Sequence, residues 1–174
     1  MEFKLKDIKI IILSGKAGSG KSSVANIIKK YKNCIILSYA SYIKEIAKNV
    51  LSWDGNEESK PRDFLQQFGS VIKNIDSNLL INRMLEDIKM YSYFYDLIVI
   101  SDARFVDEIE SIKTNFKNVY SINIYGRNNN LTEEQKNHIT ETALDNYDKY
   151  DYILKNDLNV EKNIINILEE ILWV

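Results

Sequence analysis

Alternating apolar, β-branched runs and amphipathic helical stretches predict an α/β protein. The expected form is a three-layer sandwich: a five-stranded parallel sheet with helices on both faces and a small lid. Two further observations support this. A glycine-rich segment separates the first apolar run from the first helical stretch. Polar and charged residues gather directly after apolar runs, where a parallel sheet has its ligand-binding edge.

In chain order, Ile8 to Leu13 is apolar and β-branched, as a buried strand should be. Ser22 to Tyr31 places Val24, Ala25, Ile27 and Ile28 at helical spacing. Cys34 to Ser38 reads as a short second strand, with Cys34 buried among apolar neighbours. A helix opens at Tyr39-Ala40 and runs to about Leu51, followed by a polar loop from Trp53 to Ser59. Pro61 suits the first turn of the next helix, with Ser59 or Lys60 near its cap. Another helix starts at Asp76-Ser77 and carries Leu79, Leu80, Met84, Leu85 and Ile88 on its apolar positions. Leu97 to Ser101 is the third strand, ending at Asp102, and Val106 to about Lys113 the helix after it. Val119 to Ile124 is the fourth strand, and Gly126 to Asn130 a polar loop. Thr132-Glu133-Glu134-Gln135 has capping-box spacing and predicts a short helix. Tyr152 to Leu154 is the fifth strand, and Val160 to Leu172 a final amphipathic helix. With no repeat, linker or low-complexity tract, residues 1–174 are expected to form one domain.

Gly15-Lys16-Ala17-Gly18-Ser19-Gly20-Lys21-Ser22 fits the phosphate-loop pattern G-x-x-x-x-G-K-[ST] at every fixed position. Strand, glycine loop and helix follow in the order such a loop requires. Glycines let the backbone turn its N–H groups inward around a phosphate chain, and the helix start adds its positive dipole end. The nucleotide-binding set is therefore Gly15, Lys16, Ala17, Gly18, Ser19, Gly20, Lys21, Ser22 and Ser23. Lys21 is expected to reach the β- and γ-phosphates of ATP, and the Ser22 hydroxyl to ligate Mg²⁺.

Composition narrows the partners. Apolar residues make up 45% and charged residues 28%, ordinary for a globular protein, and the net charge is −2. That balance offers no global attraction to nucleic acid or an anionic membrane. No apolar run approaches the ~18 residues of a membrane span. Met1-Glu2-Phe3-Lys4 lacks a signal-peptide core, and the single cysteine forms no internal disulfide, so a cytoplasmic setting is expected. The chain has only four arginines, Arg62, Arg83, Arg104 and Arg127, among 23 basic residues. Sparing use suggests Arg kept for bidentate phosphate contacts.

Asp102, after an apolar strand, is expected to hold Mg²⁺ through water or orient an acceptor oxygen; the alternative is that it caps a helix. Arg104, two residues on, can reach into the same cleft and hold an acceptor phosphate, or lie on the surface. Lys44, Arg62 and Gln66 fall between the second and third strands, where phosphotransferases insert their acceptor-binding segment, here about residues 39–95. Arg62 and Gln66 share one helical face, suited to a phosphate beside a base or sugar edge, or to solvent. His138, the only histidine, has no partners for a zinc site, which leaves a surface or capping role.

Taken together, the chain resembles the phage and bacterial deoxynucleoside monophosphate kinases, which are similar to animal-type phosphomevalonate kinase. The resemblance rests on Gly15–Ser22, Ala40-x-x-x-Lys44, Trp53-x-Gly55 and Arg62-x-x-Leu65-Gln66-x-x-Gly69. It continues through Asp102-x-Arg104-Phe105-x-x-Glu108, His138-x-Thr140-Glu141 and Asp151 to Asn156. It implies transfer of the ATP γ-phosphoryl group to a small-molecule (deoxy)nucleoside monophosphate, with Lys21, Asp102, Arg104 and Arg127 catalytic. Lys44, Arg62, Gln66, Arg104, Glu108, His138 and Glu141 would form the substrate-binding set, and Ser22 and Asp102 the metal set. It implies a lid at about 126–142, in which Arg127, with Lys136 nearby, replaces the usual several arginines. A homodimer is possible. Two rivals keep the nucleotide site: a kinase for another small molecule, such as phosphomevalonate, dephospho-coenzyme A or a nucleoside, and a non-catalytic nucleotide switch.

Overall fold

A computed structural model describes residues 7–126, residue 132 and residues 136–173. Five strands form one sheet in the order β2-β3-β1-β4-β5, every neighbouring pair parallel. The strands are β1 (Lys9–Ser14), β2 (Ile35–Leu37), β3 (Leu97–Ala103), β4 (Asn118–Tyr125) and β5 (Tyr152–Lys155). The helices are α1 (Lys21–Tyr31), α2 (Ala40–Leu51), α3 (Arg62–Ile75), α4 (Leu79–Tyr91), α5 (Val106–Asn115), α6 (Ile139–Thr142) and α7 (Val160–Trp173). The expected α/β sandwich is thus the observed one. Of the expected capping box, residues 133–135 lie outside the described residues, as does Arg127.

The strands read as unbroken isoleucine runs because both sheet faces are covered. Successive side chains alternate between the faces. Ile11, Leu13 and Val99 meet Val24 and Ile28 of α1 with Ile164 and Leu168 of α7. Ile10, Ile12, Ile98 and Ile100 meet Met84 and Ile88 of α4 with Ile109 and Ile112 of α5.

Helices α2 and α3 pack on each other, and both contribute to a cleft at the carboxyl ends of the strands. Their close approach explains Gly69: a Cβ there would lie 3.3 Å from Ile43 Cδ1. Phe64 and Phe68, one turn apart on α3, stack with ring centroids 5.5 Å apart. Between α2 and α3, residues 53–59 form a polar loop closed by its own hydrogen bonds. Asp54 accepts from the Asn56 N–H at 2.8 Å and the Ser59 hydroxyl at 3.0 Å, and the Trp53 indole donates to the Asn56 carbonyl at 3.0 Å.

Candidate active site

The turn from β1 into α1 carries the phosphate loop, and its backbone shows why glycine stands where it does. Gly15, Gly18 and Gly20 all have positive φ. A Cβ on Gly15 would also lie 2.2 Å from the Ile124 carbonyl oxygen, so β4 presses directly on the loop. Asn156, buried just beyond β5, donates from Nδ2 to the Ser19 carbonyl at 2.7 Å and braces the loop's other end. Lys21 folds across the loop, its ammonium donating to the Gly15 and Lys16 carbonyls at 2.6 and 2.8 Å. Burial, and then the Arg104 guanidinium, push its pKa down to about 7, against the opposing pull of Glu141 and Asp102.

A cavity of about 920 Å³ opens beside the loop. Ala17, Gly18, Gly20, Lys21, Ser22 and Ser23 form one wall. Lys44, Arg62 and Gln66, from α2 and α3, form the opposite side, and Asp102, Arg104 and Glu108 complete it. Arg62 and Arg104, 42 residues apart in sequence, therefore face one space. Arg83 is on α4, with its guanidinium 3.5 Å from Asp87 and 3.8 Å from Glu86.

Several expected site residues have other partners. Asp102 lies within β3 rather than after it, and its carboxylate holds the start of α2. It accepts from the Ser38 hydroxyl at 2.6 Å and from the Tyr39 and Ala40 N–H groups at 2.8 and 3.0 Å. The helix-capping alternative is thus realised, while the residue still borders the cavity. Glu108, only 7% exposed, accepts from the Arg104 and Phe105 N–H groups at 2.6 and 3.1 Å and caps α5. Burial raises its carboxyl pKa to about 8, above the ordinary glutamate value. His138 caps α6: its Nδ1 accepts from the Thr140 N–H at 3.3 Å and lies 2.9 Å from the Thr140 hydroxyl. It borders neither of the two cavities described here.

Glu141 grips the loop itself. Its buried carboxylate accepts from the Ala17 N–H at 2.6 Å and pairs with Arg104 Nη1 at 2.7 Å. Asp145, just past α6, pairs with Lys16 at 2.9 Å. Arg104, Thr140 and Glu141 form the partition between the first cavity and a second of about 750 Å³, which Lys136 and Tyr125 also border.

Sequence reasoning passed over four charged residues here: Glu57, Lys60, Lys73 and Asp145. Glu57 bridges Lys60 and Arg62, with its oxygens 3.0 Å from the Lys60 ammonium and 2.8 Å from Arg62 Nη2. Lys73 sits 3.5 Å from the centre of the Phe105 ring and pairs with Asp107 at 3.1 Å. The basic residues flanking Pro61 at a helix start were the one available signal for Lys60. Nothing local marks Lys73 or Asp145, whose partners lie in distant segments.

Solved structures share this architecture. TT1252 from Thermus thermophilus superposes with a TM-score of 0.55 at 14% identity, covering 95% of this chain and 98% of that one. Dephospho-CoA kinase from Campylobacter jejuni gives 0.55 at 14% identity, over 93% of this chain and 96% of its own. Shikimate kinase from Aquifex aeolicus gives 0.53 at 15%, over 92% and 96%. The chain shares its fold with these proteins, two of them kinases.

No family model matches the chain. Among curated proteins, a UPF0200 protein of Saccharolobus islandicus is 26% identical over 113 residues, 65% of this chain and 55% of that protein. The chain thus spans about half the length of the curated relative it matches. Among the described residues no helix is long and apolar enough to cross a membrane. None of their His, Cys, Asp and Glu side chains cluster in threes as a metal site.

Proposed function

We propose that the chain transfers the γ-phosphoryl group of ATP to the phosphate of a (deoxy)nucleoside monophosphate, giving the diphosphate and ADP. A phosphate oxygen of the acceptor attacks the γ-phosphorus, and the bond from that phosphorus to the β–γ bridging oxygen breaks. The observation that carries the reading is the shared cleft. A phosphate loop with a buried lysine faces a wall bearing Lys44, Arg62 and Gln66 across about 920 Å³, room for a second phosphorylated molecule. The small-molecule kinases that share the fold, and the motif resemblance from Gly15 to Asn156, support the reaction class.

In this reading the loop N–H groups and Lys21 take the β- and γ-phosphates, and Arg104 lies across the line of transfer. Arg127, from the lid, is assigned the remaining charge. Positioning and charge neutralisation supply the catalysis, since phosphoryl transfer needs little covalent help from the protein. The cleft's hard oxygen donors fit Mg²⁺ rather than a soft metal: the Ser22 hydroxyl borders it, and Asp102 stands behind it as a carboxylate. When bound, Mg²⁺ supplies charge neutralisation at the phosphate oxygens. Asp102, already accepting from three donors at the start of α2, is suited to act on it through water.

The test is a coupled assay of ADP release with ATP and a panel of ribo- and deoxynucleoside monophosphates. One or more should stimulate turnover, and Lys21→Ala should lower the stimulated rate by about 10²-fold or more. Slow ATP turnover indifferent to every acceptor would instead favour the nucleotide switch.

A further inference from the structure

We infer that Lys60 and Arg62 form a subsite for the phosphate monoester of the acceptor, with the Glu57 carboxylate standing in the anion's place until the acceptor displaces it. This rests on the kinase reading for its consequence, but the subsite is defined by its own geometry.

Glu57 is placed as a small oxyanion would be. One of its oxygens lies 3.1 Å from the Lys60 ammonium and 2.8 Å from Arg62 Nη2; the other lies 3.0 Å from the same ammonium. All three residues border the cleft. The partners differ sharply in exposure: the Lys60 side chain is 19% exposed and that of Glu57 68%. A largely desolvated cation is thus matched to an anion that remains mostly in water, a pairing that contributes little. Lys60 is also pressed by Lys44 and Arg62, and its pKa is lowered, first by burial. Lys44, Lys60 and Arg62 border the cleft and Glu57 pairs with the latter two, so these four side chains together carry net positive charge.

A phosphate monoester meets that charge better than Glu57 does. It carries roughly −1.5 to −2 at neutral pH and three strong acceptor oxygens, against one charge and two oxygens. Lys60 and Arg62 line the same cleft as Lys21, so the subsite and the phosphate loop open on one space. Displacing Glu57 disturbs no core packing. It belongs to the polar 53–59 loop, which Asp54 and Asn56 close without it, and its side chain is the exposed member of the pair.

The test uses the full chain and two variants of opposite expected sign. Calorimetric titrations with dAMP, dGMP, dCMP and dTMP are run beside the matching deoxynucleosides and inorganic phosphate. Lys60→Gln should weaken monophosphate binding about tenfold or more, with Lys60→Arg restoring most of it. Glu57→Gln should tighten it about threefold, by removing the resident competitor. Neither should change deoxynucleoside binding. If both variants weaken binding alike, or neither changes it, the three side chains are a structural cluster and the subsite is overturned. If the wild type binds neither the monophosphates nor phosphate, it is overturned outright. Glu57 is exposed enough for its variant to fold, so its sign decides the matter even where Lys60→Gln unfolds. Lys60-dependent monophosphate binding without phosphoryl transfer would sink the kinase reading and leave the subsite standing.

Discussion

At the tip of the first turn, the Lys21 ammonium is held by two carbonyl oxygens and has lost most of its water. Its pKa falls from the ordinary 10.5 to about 7, chiefly through burial, with Arg104 adding repulsion. Between pH 7 and 10.5 the unfolded chain therefore binds more protons at this lysine than the folded one. The group makes stability rise with pH across that window. Denaturant unfolding from pH 7 to 10 should show this rise, and Lys21→Met should flatten it. A triphosphate beside the ammonium favours its charged form, so nucleotide binding above pH 7 should take up a proton at Lys21. Affinity should fall from pH 7 to 9 by up to about tenfold per unit, and calorimetry in buffers of different ionisation enthalpy should detect the uptake. At this scale the sequence was legible where spacing alone carries the chemistry, as from Gly15 to Ser23. It was not legible where a side chain's partner lies far along the chain. Glu141 was reached only through the motif resemblance, and as a substrate residue; its hold on the Ala17 amide, 124 residues away, comes from folding.

The placing of α2, which lines the cleft, depends on a contact between elements. Asp102, near the end of β3, holds the first turn of α2 through two backbone N–H groups and the Ser38 hydroxyl. Asp102→Ala should lower stability by about 1–2 kcal/mol, in the range of lost helix caps, measured by urea unfolding at pH 7. Asp102→Asn keeps one acceptor oxygen and should lose less. Strand and helix order was readable because a sheet buried on both faces leaves long isoleucine runs, and because α1, α4 and α7 show regular apolar spacing. Their ends were less so. The reading stopped β3 at Ser101, whereas pairing continues to Ala103 through an irregular register opposite Ile12 and Ser14. Apolarity marks a strand's buried middle, while hydrogen bonds decide its polar end. The 39–95 insertion was expected from its place between two strands, yet its role as one wall of the cleft required the α2–α3 packing around Gly69.

For the molecule as a whole, β1 is the axis: it pairs with β3 on one side and β4 on the other, and Ile10 to Leu13 are fully buried. Ile12→Ala should cost about 2–5 kcal/mol, read from the midpoint of denaturant unfolding. Backbone amides of β1 should exchange with solvent only through global opening, more slowly than those of the sheet-edge strands β2 and β5. The same arrangement bears on how the chain matures as it leaves the ribosome. Both neighbours of β1 are made after it, and the carboxylate that anchors α2 arrives only at residue 102. Until residues 97–103 have emerged, the phosphate loop has no sheet beneath it and α2 no anchor. A nascent chain arrested before residue 97 should therefore present its isoleucines to chaperones and hold no nucleotide, while one released past β4 can close the sheet around its first strand.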